Sequence, residues 1–530
     1  MRAASTRAVA GLSLGVVLSL LASPTAAQSP APARTPEAAV RDPVVACPVT
    51  VPPIDAPTPS PDPDASPAAT ASIREAEVRP APEAQPVGAW PGRWRRMPAS
   101  PLGARSGAAT DYAAWDGRIY VWGGRDASGA LLSDGAAYVV ADRTWVLLPD
   151  AGLVPRERFA FDSDGKGIVI WGGVDAAGAP LDDGARLTFE GRRQAPRWEV
   201  LPPAPLTPGP ASIAGDLNGM WAVSPGASPG DPPRFAWYDQ TDEGYGWDDP
   251  SSPDIQNHGA FTVPPVPPGI AYEMVSVRSA ALLLSHQADG SAIGSWFDGA
   301  WGEPFRIALP ASDGCAAMDL PAFAWVRAGA DGSPVSLVQG WGDVGGWQAL
   351  APAPAEAVTD GMLVWAPRHL IVADALLAYD MVTDRWLRLP DLPGGPRTGV
   401  SAAWFDGRLY VWGGRSDDGT VHADGFVFRP DLPADTFRLP GGHRDGYGDC
   451  GGEGDPRDAV FRADPDDPDK VWLQQGGQRI STFWPDGYVV RFRKGRGTVI
   501  GPDGAVAARE GQRLRDAAKQ DYCPSGDVTF

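Results

Sequence analysis

Histidine, cysteine and lysine are all scarce in this chain, and each shortage removes a class of chemistry. The 530 residues include five His, four Cys and four Lys (Lys166, Lys470, Lys494 and Lys519). The histidines (His258, His286, His369, His422 and His443) never fall at close spacing, and no Cys-x-x-Cys or Cys/His cluster occurs, so no zinc-ligand pattern is present. Basic charge is outweighed as well: 45 Lys and Arg face 65 Asp and Glu, a formal net charge of −20. Binding to nucleic acid or an anionic membrane rests on clustered cations, so neither is an expected partner. The one long apolar run, "AVAGLSLGVVLSLLA" near the N-terminus, is too short to span a bilayer comfortably.

That run reads instead as an export signal. Arg2 and Arg7 precede or flank it and "SPTAAQ" supplies small residues for a cut near Ala27, which makes residues 1–27 a signal peptide and the mature chain secreted or extracellular. An uncleaved anchor is the alternative. Residues 28–92, as in "VPPIDAPTPSPDPDASPAAT", are Pro/Ala-rich and bury too little apolar surface to offset ordering entropy, so they read as a disordered linker. In an oxidising compartment the four cysteines allow two bridges in three pairings. Cys450 with Cys523 brackets one small C-terminal segment and is preferred, leaving Cys47 with Cys315.

What the chain has in abundance is a repeat. "WDGRIYVWGG", "DGKGIVIWGG" and "FDGRLYVWGG" each run from an Asp-Gly turn through a β-branched and aromatic stretch to a glycine pair. The pairs Gly123/Gly124, Gly172/Gly173 and Gly413/Gly414 each lie eleven residues ahead of another glycine, which an acid precedes: Asp134, Asp183 and Asp424. A second short run follows, then an aromatic just before Leu-Pro (Trp145, Trp198, Trp386 and, in the last unit, Phe437). Short β-branched runs bounded by Gly, Asp and Pro are strands and turns, so the fold class is all-β with a period near 50 residues. Paired glycines tolerate backbone angles or close approaches that a Cβ forbids. The recurring aromatics are the expected partners of that bare backbone.

The glycine pair after an aromatic strand end, the downstream Asp and the Trp before Leu-Pro resemble kelch repeats. The resemblance implies four-stranded blades of a β-propeller, with closing strands near 145, 198, 247, 305, 347, 386 and 437. Seven blades is the expectation, six the alternative, over residues 93–441, followed by a small β-rich domain at 442–530. "WRRMP" at Trp94 is an eighth copy of the closing grammar: either a strand that completes the last blade, or an extra edge strand.

Candidate site residues fall in two groups. Arg105, Arg156 and Arg397 precede their glycine pairs by 18, 16 and 16 positions. In a propeller this sets them near the central channel, where guanidinium groups hold a carboxylate or sugar acid. The competing reading is structural, as ligands of backbone carbonyls or acids. The non-repeating stretch from Trp237 to Phe261 carries Asp242, Tyr245 and Trp247, aromatics and acids that suit sugar stacking or calcium, against the reading of a solvated acidic loop. "RADPDDPDKVW" offers Asp464, Asp466, Asp467 and Asp469 as oxygen ligands for calcium, without the EF-hand order, against an ordinary turn. No other cofactor is expected. A copper oxidase of the kelch type needs two Tyr, two His and a Cys, for which the inventory is thin. The chain is therefore expected to be a non-catalytic binding or scaffold module for a protein or glycan, the alternative being a propeller enzyme of isomerase or lyase type acting on a sugar or sugar acid through the channel arginines and an acid or His422.

Overall fold

Turn chemistry and strand propensity agree along most of the chain, and the result is a succession of small sheets. The computed structural model describes residues 73–530 except 114–116, 164–166, 191–194, 217–218, 229, 240–245, 249–263, 278–279, 299, 311–316, 320–321, 329–333, 341–345, 358–360, 367–368, 434, 440–458, 468–469, 476, 485–487, 502–503, 514–520, 523–527 and 530. The expected signal peptide, the linker as far as residue 72 and all four cysteines lie outside the described residues. Among those described there is no α-helix, and no helix long and apolar enough to cross a membrane.

The first unit is an up-and-down antiparallel sheet of Ala109–Ala113, Arg118–Trp122, Gly135–Val139 and Thr144–Leu147. The second repeats it with Ala160–Ser163, Ile168–Trp171, Gly184–Glu190 and Ala195–Val200. The third, fourth and fifth begin at Ser212, Ala271 and Ala317, in the region where the repeat grammar fades. The sixth runs Leu363–Ala366, His369–Val372, Leu377–Asp380 and Arg385–Arg388. The seventh has Thr398–Phe405, Arg408–Arg415 and Gly425–Pro430. The first strand of each sheet lies beside the first strand of the next, and Thr398–Phe405 lies beside Ala109–Ala113.

Inner strands read as unbroken apolar runs because both of their faces are covered. In Ile168–Trp171, Ile168 and Ile170 join Tyr120, Trp122 and Phe159 in a core with the first sheet. Val169 and Trp171 join Met220, Ala222 and Tyr238 in a core with the third. A core of this kind also joins the seventh sheet to the first, through Tyr410, Ala403, Ile119 and Tyr138.

The fourth strand of the seventh sheet is Gly92–Arg96, antiparallel to Gly425–Pro430, with Trp94 opposite Phe428. The expectation that Phe437 closes this unit is thereby corrected. Thr436–Arg438 pairs instead with Val489–Arg493. Pro430 and Pro433 interrupt the return path, and Thr436 N donates to the Pro433 carbonyl, turning the chain away from the sheet edge.

The Pro/Ala-rich segment is also ordered where it is described, against the linker expectation. Arg74–Glu75, Val78–Arg79 and Gly88–Ala89 add parallel to the outer strands of the fourth, fifth and sixth sheets. Pro cannot donate to a ladder, so with prolines at 80, 82, 86 and 91 the arm pairs in two-residue steps. Trp90 pins it: the indole stacks on His369 at 4.0 Å between ring centroids and meets Phe428 edge-on at 5.5 Å.

Beyond Pro433 two further sheets share one core. One is Thr436–Arg438, Val489–Arg493, Arg496–Ile500 and Val506–Arg509; the other holds Val460–Ala463, Val471–Gln475 and Gln478–Phe483 with Val528–Thr529 and Asp521–Tyr522. Phe461, Leu473, Trp484, Val490 and Phe492 fill the space within this body.

The Trp90→Ala chain should lose about 3 kcal/mol of stability, the usual scale for truncating a buried indole, in a urea melt. A loss below about 0.5 kcal/mol, the range of a neutral surface change, would mean the arm contributes nothing to the seventh sheet.

Candidate functional site

The three repeated arginines are sealed into one structural unit, used three times. Arg105, Arg156 and Arg397 are each at most 4% exposed. Arg105 Nη1 donates to the Gly123 carbonyl at 3.0 Å and to Asp134 Oδ1 at 2.8 Å, with Nη2 on Asp134 Oδ2 at 3.0 Å. Arg156 repeats this on the Gly172 carbonyl (3.1 Å) and on Asp183 Oδ2 (3.1 Å). Arg397 does so on the Gly413 carbonyl (3.1 Å), with Asp424 Oδ1 2.8 Å from Nη1 as an ion pair out of hydrogen-bond alignment. Burial works to raise the Asp134 carboxyl, but the Arg105 guanidinium outweighs it and holds the group below the usual carboxylate range.

This explains the spacing in the sequence. The arginine enters just before the first strand, the glycine carbonyl ends the second, and the acid opens the third, so one guanidinium ties three segments of a sheet. The glycines are required by close approach: both members of each pair have positive φ, and a Cβ on Gly124 or Gly173 would stand 2.7 Å from the Ser106 carbonyl or 2.5 Å from that of Glu157. The sequence led us to expect the fourth-strand aromatics over the glycine pairs, but the atoms nearest a Cβ placed on those glycines belong to other residues. The fourth-strand indoles reach back to the previous unit, Trp145 Nε1 to the Pro98 carbonyl, Trp198 to Pro149, Trp386 to Ala351 and Trp94 to Pro390.

The loops between second and third strands then become comparable position by position. "GGRDASGALLSDG", "GGVDAAGAPLDDG" and "GGRSDDGTVHADG" share length, turn and final Asp-Gly. In the first two, Asp126 and Asp175 cap the tight turn by accepting backbone N–H groups at 2.8–3.0 Å. Six residues further on stand Leu132 and Leu181. The seventh sheet replaces these with Ser416 and His422, and Asp418 takes over the cap by accepting from Thr420 N at 2.9 Å. Ser416 Oγ lies 2.6 Å from His422 Nε2, and His422 Nδ1 lies 3.8 Å from Asp424 Oδ1. Burial pushes the His422 imidazole below its ordinary range and the nearby Arg397 charge adds to this, while Asp424 and Asp418 pull the other way. The balance favours the neutral ring.

A second polar set joins the fourth and fifth sheets. Arg327 Nη2 reaches Glu273 Oε1 at 2.7 Å and Oε2 at 2.8 Å, Trp325 Nε1 donates to Oε1 at 3.0 Å, and His286 Nε2 lies 3.2 Å from Oε2. His286 Nδ1 faces the Leu309 carbonyl at 3.0 Å. Burial alone would raise the Glu273 carboxyl, but Arg327 and then His286 override it and hold it at about 2. Among the described residues the irregular sheets show no arginine–glycine unit, and here a carboxylate on one sheet grips a guanidinium on the next.

Of the other candidates, Asp242 and Tyr245 lie outside the described residues. Trp247 sits on Gly246–Asp248, the outer strand of the third sheet, opposite Tyr238. In the acidic loop, Asp467 is clasped by Arg479 at 2.6 and 2.7 Å, and Asp464 Oδ1 caps Asp466 N at 2.9 Å, so these two carboxylates serve the turn; Asp469 is outside the described residues. Ser416 and the Glu273 cluster were not singled out from sequence. The substitution within the aligned loop letters carried the signal for Ser416; nothing in the degraded region marked Glu273. No family model matches the chain, and no curated protein matches it.

Arg156→Ala should cost about 3 kcal/mol in a denaturant melt because three carbonyls and a carboxylate lose their donor, whereas Asp183→Asn, at a half-exposed carboxylate, should cost about 1 kcal/mol. Equal, negligible losses would refute the tie. For Glu273 the folded carboxyl titrates near 2 against 4.5 in an ordinary environment, so its stabilisation is complete above about pH 4.5 and disappears as pH falls through 2. Glu273→Gln should be less stable at pH 7 and should lose stability less steeply between pH 4.5 and 2 than the parent. An unchanged slope in that window would remove Glu273 from the acid response.

Proposed function

We propose that the seven sheets are the blades of a kelch-type β-propeller, borne by an exported chain, and that it acts outside the cell as a binding or scaffold module for a protein or a glycan. The observation that carries this reading is the cyclic succession of first strands, with an apolar core between every consecutive pair of sheets and again between the seventh and the first. Radial repetition of this kind leaves only short edges and holds the inter-strand loops on a rigid frame, where binding residues tend to sit. The fourth strand of the last blade comes from the N-terminal arm, which supports seven blades over six. Export rests on the N-terminal apolar run and its small-residue cut.

The regular units, one, two and seven, keep a common loop. Units three to six depart from it in sequence and in internal polar contacts, and a partner that reads this half would see a surface unlike the rest. The alternative of an enzyme that grips a sugar acid with Arg105, Arg156 and Arg397 is disfavoured, because Arg105 and Arg156 already donate to Asp134 and Asp183 and to glycine carbonyls, and Arg397 is buried against the Gly413 carbonyl in an ion pair with Asp424.

The exported chain, beginning near Gln28, should show saturable binding to at least one member of a broad glycan array or of an extracellular protein array. Silence on both arrays from protein with a cooperative melt would overturn the binding reading.

A further inference from the structure

Among the three matching loops, that of the seventh sheet breaks the repeat with a reactive pair while keeping its frame. At the positions filled by Asp126 and Leu132, and by Asp175 and Leu181, stand Ser416 and His422. The turn hydrogen bond survives unchanged, from Gly419 N to the Ser416 carbonyl as from Gly129 N to that of Asp126. The exchange therefore alters chemistry without altering the fold of the loop.

We propose that Ser416 and His422 form a nucleophile–base pair that accepts acyl groups from small carboxylic esters, with Asp424 as the positioning residue. Nε2 of His422, 2.6 Å from Ser416 Oγ, is placed to take the hydroxyl proton. Nδ1 is on the Asp424 side, 3.8 Å from Oδ1 and beyond hydrogen-bond reach, and the pair acts in the tautomer that carries hydrogen on Nδ1 and leaves Nε2 as the acceptor. The backbone fixes the base on both sides: His422 N donates to the Gly414 carbonyl at 2.9 Å, and the His422 carbonyl accepts from Arg105 N at 3.1 Å. Both side chains are half-buried, so a small ester reaches the hydroxyl from solvent.

The step balances without an outside reagent other than water. Ser416 Oγ bonds to the ester carbonyl carbon as its proton passes to His422 Nε2. The carbon–alkoxide bond then breaks, and His422 returns the proton to the leaving alcohol. Water repeats the sequence on the acyl-serine, giving the carboxylic acid and free Ser416. The proposal does not rest on what the rest of the chain binds.

The test uses the full exported chain with p-nitrophenyl acetate for turnover and a fluorophosphonate for covalent labelling, mapped by peptide mass. Ser128 is the internal control: it lies in the matching loop of the first sheet, its hydroxyl held by Asp126 at 2.6 Å with no histidine beside it. Ser416 should label on the order of 100-fold faster than Ser128, the scale of general-base assistance. His422→Leu restores the residue type of the sister loops and should bring Ser416 down to the Ser128 rate, while Ser416→Asp, the sister cap, should abolish ester turnover. Equal labelling of the two serines, or labelling and turnover that survive these variants, would overturn the proposal. Should His422→Leu fail to fold, the Ser416 to Ser128 ratio in the parent and the turnover of Ser416→Asp decide it.

Discussion

Each sheet in the repeated body has two faces to bury, and no sheet can do so alone. Ile170 turns to one neighbour and Trp171 to the other, and both are at most 2% exposed. A linear stack would leave one bare apolar face at each end; here the faces of the seventh and first sheets meet through Tyr410, Tyr138 and Met97. That requirement explains why the N-terminal arm is tied so closely to the body. The last sheet has three strands of its own, and a strand preceding the first sheet supplies the fourth, locking the two ends of the repeated body together through Trp94 and Phe428.

Within a sheet the ordering element is the buried guanidinium. It satisfies the carbonyls left by a left-handed glycine pair, whose geometry excludes any side chain, and it anchors the acid that starts the third strand. Where the arginine and glycines are lost, other buried groups take the load: Glu273 with Arg327 between the fourth and fifth sheets, and an aromatic cluster of Trp221, Phe235, Phe297 and Trp301 between the third and fourth. Such pairs stabilise less than apolar packing of the same volume would, yet once built they are costly to break from one side.

The strands, their period and their all-β class were legible because Asp-Gly turns and β-branched runs are local signals. Six of the seven fourth strands were legible for the same reason. Phe437 misled because "TFRLP" obeys the same local grammar as "WRRMP"; which of the two pairs with Gly425–Pro430 is settled by a contact more than 300 residues away and by prolines that divert the nearer candidate. The arginines were visible as a constant interval, but interval alone could not say whether the guanidinium faces a ligand or its own sheet. That depends on the acid 27 or 29 residues downstream, which was present in the letters and was read only as loop chemistry. The Glu273 cluster was invisible because its members come from two sheets with no common spacing.

The loop bearing Ser416 and His422 is held from three directions, and two of them involve the meeting of the first and seventh sheets. Arg105, which enters the first sheet, exchanges backbone hydrogen bonds with His422 and with Gly414. Arg96, on the N-terminal strand, reaches Asp424 at 3.3 Å. Arg397 grips the same carboxylate from within the seventh sheet. The imidazole is thus oriented by elements that come together only when the seventh sheet has gained its fourth strand and met the first. A half-exposed loop would ordinarily leave a serine and a histidine too mobile to act as a pair. Here the frame that resolves the burial of apolar faces also holds the loop's backbone, through Arg105 on His422 and Gly414, while the Ser416–His422 contact itself lies within the loop.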